Sequence, residues 1–175
     1  YVMAFVDGRT LATVLSADGL PPMRERARIV RDAAEAVAHA HAHKVVHRDL
    51  KPSNLMLDRD GRVHVLDFGL AKNLDDATQL TATGQIIGTA AYMPPEQVDG
   101  PAERTVPASD VYALGALLFR CVAGRPPFVD ENPLTVMFQH ADTAPPDVQL
   151  LSSHSLSPEF AAVVARALAK EPELR

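Results

Sequence analysis

Two short apolar runs, Leu55-Met56-Leu57 and Val63-His64-Val65-Leu66, flank Asp58-Arg59-Asp60-Gly61. Asp-Gly between two strand-like runs is a strong hairpin signal. A hairpin constrains this chain more than any other feature, because it joins whatever precedes its first strand to whatever follows its second. If Asp60-Gly61 is the two-residue turn, Leu55 opposes Leu66, Met56 opposes Val65 and Asn54 stands opposite Asp67. The competing register differs by one residue.

Helical patterns surround the hairpin. Residues 1–6 read as the end of a strand, which Asp7-Gly8 closes with turn chemistry. A short helix is expected from Thr10. Pro21-Pro22 opens a long helix over Met23–His43, with Ile29, Ala33, Val37 and Ala40 at helical spacing. A third helix is expected near Asp110–Val122, with Ser109 or Asp110 as its cap, before the break at Arg125-Pro126-Pro127-Phe128. A fourth covers Pro133–His140. Ser157-Pro158 then places an N-cap before a first-turn proline for a helix running to about Ala169. Residues 70–96 lack periodicity, and a loop of that length inside a compact domain usually serves function.

Composition narrows the classes. The 175 residues carry a net charge of −5, which argues against nucleic acid as the main partner. The single cysteine, Cys121, excludes an internal disulfide framework and fits a reducing compartment. The longest apolar stretch, Val111–Phe119, is far short of the ~20 residues that span a bilayer. The expected location is the cytoplasm, as a free protein or as the cytoplasmic domain of a larger, membrane-anchored one. The chain opens at Tyr1 and stops at Arg175 directly after a helical pattern, so both ends read as cuts.

Around the hairpin rim the residue types suit phosphoryl transfer. That chemistry needs oxygen ligands for Mg²⁺, a group to orient the attacking hydroxyl and a cation to offset charge on the transferred group. Asn54 and Asp67 would supply the oxygens, with Asp49 and Lys51 in the same loop. Mg²⁺ keeps several waters, so one or two protein ligands suffice.

His47-Arg48-Asp49-Leu50-Lys51-Pro52-Ser53-Asn54 resembles the catalytic loop of eukaryotic-type protein kinases, and Asp67-Phe68-Gly69 resembles their metal-binding motif. The resemblance implies that Asp49 accepts or orients the substrate hydroxyl proton and that Lys51 contacts the γ-phosphate. Asn54 and Asp67 would hold Mg²⁺, or Mn²⁺ in its place, against ATP. Lys51 in this context is similar to serine/threonine kinases, and the bacterial eukaryotic-like members are closest in character. Residues 1–8 would be the hinge, with Met3 as gatekeeper and the backbones of Ala4 and Val6 facing adenine over Met56. Residues 9–66 would form the lobe with its catalytic loop at 47–54, residues 67–96 the activation segment, and residues 97–175 a truncated helical subdomain. Gly88-Thr89 resembles the substrate-side Gly-Thr, whose threonine pairs with the catalytic-loop Asp and Lys. Met93-Pro94-Pro95-Glu96 stands where the family has Ala-Pro-Glu, and Arg175 matches the arginine that pairs with that glutamate. Asp110 would anchor the catalytic-loop backbone, and His47 would stack beneath Phe68. Arg48 would pair with a phosphate on Thr81 or Thr83, with Thr78 a more distant choice.

The expected fold is therefore mainly α with a small β-hairpin: a protein-kinase-like C-terminal lobe without its N-terminal β-lobe. No Gly-x-Gly-x-x-Gly stretch occurs in the chain. The expected function is ATP-dependent phosphorylation of Ser/Thr on protein substrates by the full-length parent, completed by its own N-terminal lobe, with the isolated fragment inactive. The alternatives are a pseudokinase-like docking module and a small-molecule phosphotransferase of the aminoglycoside or choline kinase type. Pro94 for the usual Ala, and Ala4 for an acidic hinge residue, are minor departures. His39 and His43 read as helix-end polar residues, Cys121 as a core residue, and Asp75-Asp76 as solvated loop charge.

Overall fold

A computed structural model describes residues 5–17, 20–68, 89–98 and 105–175. The described chain is mainly helical with one three-stranded antiparallel sheet. In order come β1 (Gly8–Thr10), α1 (Leu11–Ser16), α2 (Met23–Ala42), a 3₁₀ turn (Pro52–Asn54), β2 (Leu55–Asp58) and β3 (Val63–Val65). Then follow α3 (Pro95–Val98), α4 (Pro107–Ala123), α5 (Pro133–Asp142), α6 (Val148–Leu151), α7 (Pro158–Ala167) and a 3₁₀ turn (Pro172–Leu174). No helix among the described residues is long and apolar enough to cross a membrane.

α4 is the axis of the fold. A helix hydrophobic on all sides belongs in an interior, and α4 buries Tyr112, Ala113, Leu114, Ala116, Leu117, Phe119, Cys121 and Val122. It packs against the Ile29, Val30, Ala33 and Val37 stripe of α2 on one side and against α7 on another. Gly115 permits the approach of α7: a Cβ there would stand 2.7 Å from the Ala167 Cβ. Gly124, at φ +77° where L side chains are strained, ends α4 as its C-cap. The buried guanidinium of Arg26 in α2 donates to the carbonyl of Cys121 in the last turn of α4. The Cys121 thiol is wholly buried, and that burial pushes its pKa up to about 11.

The long helix, the helix near Pro133 and the Ser157-capped helix lie where the patterns put them. Ser157 Oγ accepts from the Phe160 N–H, and Pro158 opens α7. Thr10 Oγ1 caps α1 by accepting from Thr13 N. Three expectations change. Residues 1–4 fall outside the described residues, Phe5 and Val6 are not in a strand, and Gly8 opens β1 instead of closing a turn. β1 lies so close to β2 that a Cβ on Gly8 would stand 2.0 Å from the Leu57 carbonyl oxygen. α4 begins at Pro107, so Ser109 lies at its third position and accepts from Val106 N–H through Oγ (3.1 Å). The hairpin, finally, takes the other register: Leu55 pairs with Val65, Met56 with His64 and Leu57 with Val63.

The turn explains that register. A two-residue Asp-Gly turn would need positive φ at both residues. Among the described residues of the loop only Gly61 has it, at +75°. Arg59-Asp60-Gly61 is thus a three-residue loop with glycine at its left-handed position. The Asp58 carboxylate holds it, accepting from Asp60 N and Arg62 N, both at 2.9 Å. Asn54 therefore faces Leu66, whose N–H donates to the Asn54 carbonyl at 2.9 Å. Asp67 lies one step beyond, at φ +61°.

Candidate active site

The loop from His47 to Asn54 is fastened at several points before it reaches β2. Asp110, in the first turn of α4, is nearly inaccessible at 1% exposure. Its carboxylate accepts from the backbone N–H groups of His47 (2.8 Å) and Arg48 (2.9 Å) and from His41 Nε2 (2.7 Å). A buried carboxylate is tolerable when such donors meet it, and a helix N-terminus favours its charge. Arg48 sits at φ +71°, a conformation that non-glycine residues keep only when the surroundings hold it. Its N–H is bound by Asp110 and its carbonyl by Gln97 Nε2 at 3.0 Å.

His47 ties the loop to the end of the hairpin. Its Nδ1 accepts from Asp49 N (3.2 Å), which leaves the proton on Nε2 to donate to the Leu66 carbonyl (2.7 Å). The ring meets Phe68 edge-on at 4.8 Å between centroids. One histidine thereby sets Asp49 relative to the strand end that precedes Asp67.

The polar groups converge next. Lys51 Nζ donates to Asp49 Oδ2 at 2.8 Å and to Thr89 Oγ1 at 3.2 Å. Asn54 Nδ2 donates to the Asp49 carbonyl at 2.8 Å and to Asp49 Oδ2 at 3.3 Å. With its nitrogen committed, Asn54 turns its oxygen the other way, where Ser53 Oγ stands at 3.5 Å. That amide oxygen and the exposed carboxylate of Asp67 are hard donors of the kind Mg²⁺ takes, with waters or phosphate oxygens completing its shell. No cluster of three or more His, Cys, Asp or Glu side chains suited to a metal occurs among the described residues. His39 and His43 are exposed, their rings 4.5 Å apart at the end of α2.

Below this patch, Arg175 and Glu96 form a two-pronged ion pair at 2.7 and 2.9 Å. The Arg175 side chain is fully buried and also donates to the carbonyls of Ala108, Ala169 and Lys170. Burial works to raise the Glu96 carboxyl, but hydrogen bonds from Arg175 and from Ser109 Oγ (2.5 Å) outweigh it and hold the carboxyl below its usual range. Tyr92 is buried, and its hydroxyl accepts from Arg120 Nη1 at 2.7 Å.

The structure thus brings Asp49, Lys51, Asn54 and Thr89 into one hydrogen-bonded group and joins Arg48, His47 and Asp110 behind it. Val6 and Met56 are half-buried, Met56 between Thr10 and His64 in the sheet. Met3, Ala4, Gly69, Asp75, Asp76, Thr78, Thr81, Thr83 and Gly88 lie outside the described residues. Sequence reasoning missed His41, which bonds the loop's anchor Asp110, and Gln97, which bonds the Arg48 carbonyl. The regular His39, His41, His43 spacing gave no sign that the middle one turns inward.

Comparison with known proteins gives the family. The protein kinase domain family matches residues 1–175. The chain is 40% identical to the serine/threonine-protein kinase PknB of Mycobacterium leprae over 99% of its own length. It is 42% identical to PknB of Mycolicibacterium smegmatis over 99% of its length. It is also 42% identical to the probable serine/threonine-protein kinase CE0033 of Corynebacterium efficiens over 98%. It spans only 28% of each PknB and 26% of CE0033. The chain belongs to the protein kinase domain family, among relatives that are bacterial serine/threonine kinases.

Proposed function

We propose that this chain is the C-terminal lobe of a serine/threonine protein kinase, and that the full-length protein transfers a phosphoryl group from ATP to Ser/Thr hydroxyls of protein substrates. The observation that carries this reading is the Lys51 ammonium bridging the Asp49 carboxylate and the Thr89 hydroxyl, with Asn54 tied to the same carboxylate.

Bound ATP with Mg²⁺ supplies the phosphoryl donor and offsets its charge. Asn54 Oδ1 and the Asp67 carboxylate are the groups that would hold the metal. The Asp49 carboxylate would orient the acceptor hydroxyl and take its proton as its oxygen bonds the γ-phosphorus and the bond to the leaving ADP breaks. Lys51 lies beside Asp49, where its charge would neutralise the transferred group. The bond of Thr89 to Lys51 supports reading the 89–92 strip as the acceptor side. The Val6 backbone and Met56 would line the adenine site together with Ala4.

Arg48 is exposed, and its guanidinium has no ion-pair partner among the described residues. It would receive a phosphate on Thr81, Thr83 or Thr78, drawing the activation segment onto the catalytic loop. The alternative reading is a lobe that docks partners without catalysis.

The test compares the full-length protein with this chain alone, each given Mg·ATP and a generic protein acceptor. Phosphoserine and phosphothreonine formed by the full-length protein only are expected. Transfer by the isolated chain, or by neither protein, would refute the reading, and the latter result would favour docking.

A further inference from the structure

The last turn of α4 draws in two arginines and offers neither a carboxylate. Arg120 donates through Nη1 to the Tyr92 hydroxyl at 2.7 Å. Arg26, reaching in from α2, donates to the carbonyl of the next residue, Cys121, and keeps a buried Nε without a partner. Neither guanidinium has an ion-pair partner among the described residues. A helix C-terminus offers cations about half a negative charge, which leaves most of the positive charge unanswered. Charge taken out of water is ordinarily paired, so such an excess warrants an explanation.

The place of Arg120 supplies one. Tyr92 lines the same small recess as Asp49 and Thr89. Its N–H donates to the Thr89 carbonyl at 3.2 Å, and a turn closed in this way keeps its ends within about 7 Å. Arg120 therefore stands one turn and one tyrosine side chain from Thr89, a span that an extended peptide crosses in a few residues. Arg26 is too deeply buried to meet a peptide, whereas Arg120 is half-buried and reaches the surface. Burial pushes the Tyr92 pKa up and outweighs the nearby Arg120 charge, so the phenol stays un-ionised and does not neutralise the guanidinium. Tyr92 takes one N–H of the Arg120 fork, and the rest suits a carboxylate.

We propose that Arg120 is a specificity-determining residue: it pairs with an acidic side chain of the acceptor protein, a few residues from the Ser/Thr that receives the phosphoryl group. The favoured substrate class is a Ser/Thr within an acidic segment. This rests on reading the 89–92 strip as the acceptor side of the site. Arg26 adds positive potential from behind without touching the peptide. Arg120 bonds none of the residues assigned to ATP or the metal, so its effect falls on the acceptor and not on the nucleotide.

The experiment uses the full-length protein as wild type, Arg120→Gln, Arg120→Lys and Arg120→Glu. Acceptor peptides share one Ser/Thr and carry Asp, Asn or Lys at each neighbouring position in turn. One readout is kcat/KM for each peptide, with the KM for ATP beside it. The other is the affinity of the fluorescently labelled peptides without ATP, read by anisotropy.

Wild type is expected to favour Asp over Asn at a neighbouring position by roughly tenfold, the worth of one hydrogen bond to a charged group. Higher salt should shrink that preference. Arg120→Gln, which still offers Tyr92 an N–H, should abolish it. Arg120→Lys should keep part of it, and Arg120→Glu should turn it towards Lys. The KM for ATP should hold throughout. Wild type that prefers Asp at no position would overturn the proposal, whether or not any variant folds. So would a preference that survives unchanged in Arg120→Gln, or a loss in that variant that falls equally on every peptide. If wild type phosphorylates none of the peptides, the kinase reading falls, and the peptide affinities still decide whether Arg120 reads an acidic segment.

Discussion

Replacing Asp110 by asparagine changes almost no volume but disturbs the anchor of the His47–Asn54 loop. Three donors meet this carboxylate, at 2.7, 2.8 and 2.9 Å. An amide offers one acceptor oxygen and turns an NH₂ toward the remaining donors. At least one buried backbone N–H, from His47 or Arg48, then faces another donor. Hydrogen bonds to charged groups are worth about 1.5–3 kcal/mol each. The Arg48 conformation at φ +71° also loses a restraint, and residues so held store about 1–3 kcal/mol of strain. The lost hydrogen bond points to a loss of about 1.5–3 kcal/mol, and any relaxation of Arg48 out of its strained conformation would offset part of it. The check is urea unfolding of wild type and Asp110→Asn with equal m values, so that the midpoint shift reports stability. Slow exchange of the His47 and Arg48 amides should be lost with it. A change below about 0.5 kcal/mol, the size of an ordinary surface substitution, would refute the anchoring argument.

Other substitutions test other parts. Gly8→Ala should separate β1 from β2, because the new Cβ would meet the Leu57 carbonyl at 2.0 Å; amide exchange at Thr10 and Met56 should rise while α7 is unaffected. Glu96→Gln leaves the buried Arg175 charge without its partner and should cost about 3–5 kcal/mol in denaturant unfolding. The Glu96 carboxyl lies below its usual value in the folded protein. Its contribution is therefore present above the unfolded pKa and lost as pH falls through the lower, folded one. Wild type should accordingly lose stability in that acid window more steeply than Glu96→Gln, and parallel pH profiles would contradict this. Cys121, buried with its thiol pushed up to about 11, should resist alkylation at pH 8 until the protein unfolds, as mass spectrometry can follow.

The parts legible in the sequence are those with local signatures. The α2 stripe, the proline openings of α5 and α7 and the Ser157 cap announce themselves within a few residues, as does the His47–Asn54 motif. The four-residue helices α3 and α6 do not, because one turn shows no period. The hairpin register turned on Asp58, whose side chain stabilises a three-residue loop that Asp-Gly alone does not signal. Long-range partners were harder still. His41 reaches Asp110 across 69 positions and Gln97 reaches Arg48 across 49, distances over which spacing carries no information. The Glu96–Arg175 contact, 79 positions apart, came into view through family resemblance alone, not through local pattern.

The most direct test of the account is phosphoryl transfer from labelled ATP by the full-length protein and its Asp49→Asn variant. Asparagine should keep the Lys51 and Asn54 neighbourhood near its present geometry while removing the carboxylate proposed as the proton acceptor. The account predicts Mg²⁺-dependent label on serine and threonine with wild type, and a drop of about 10²–10⁴-fold with Asp49→Asn. Equal rates from the two proteins would contradict it.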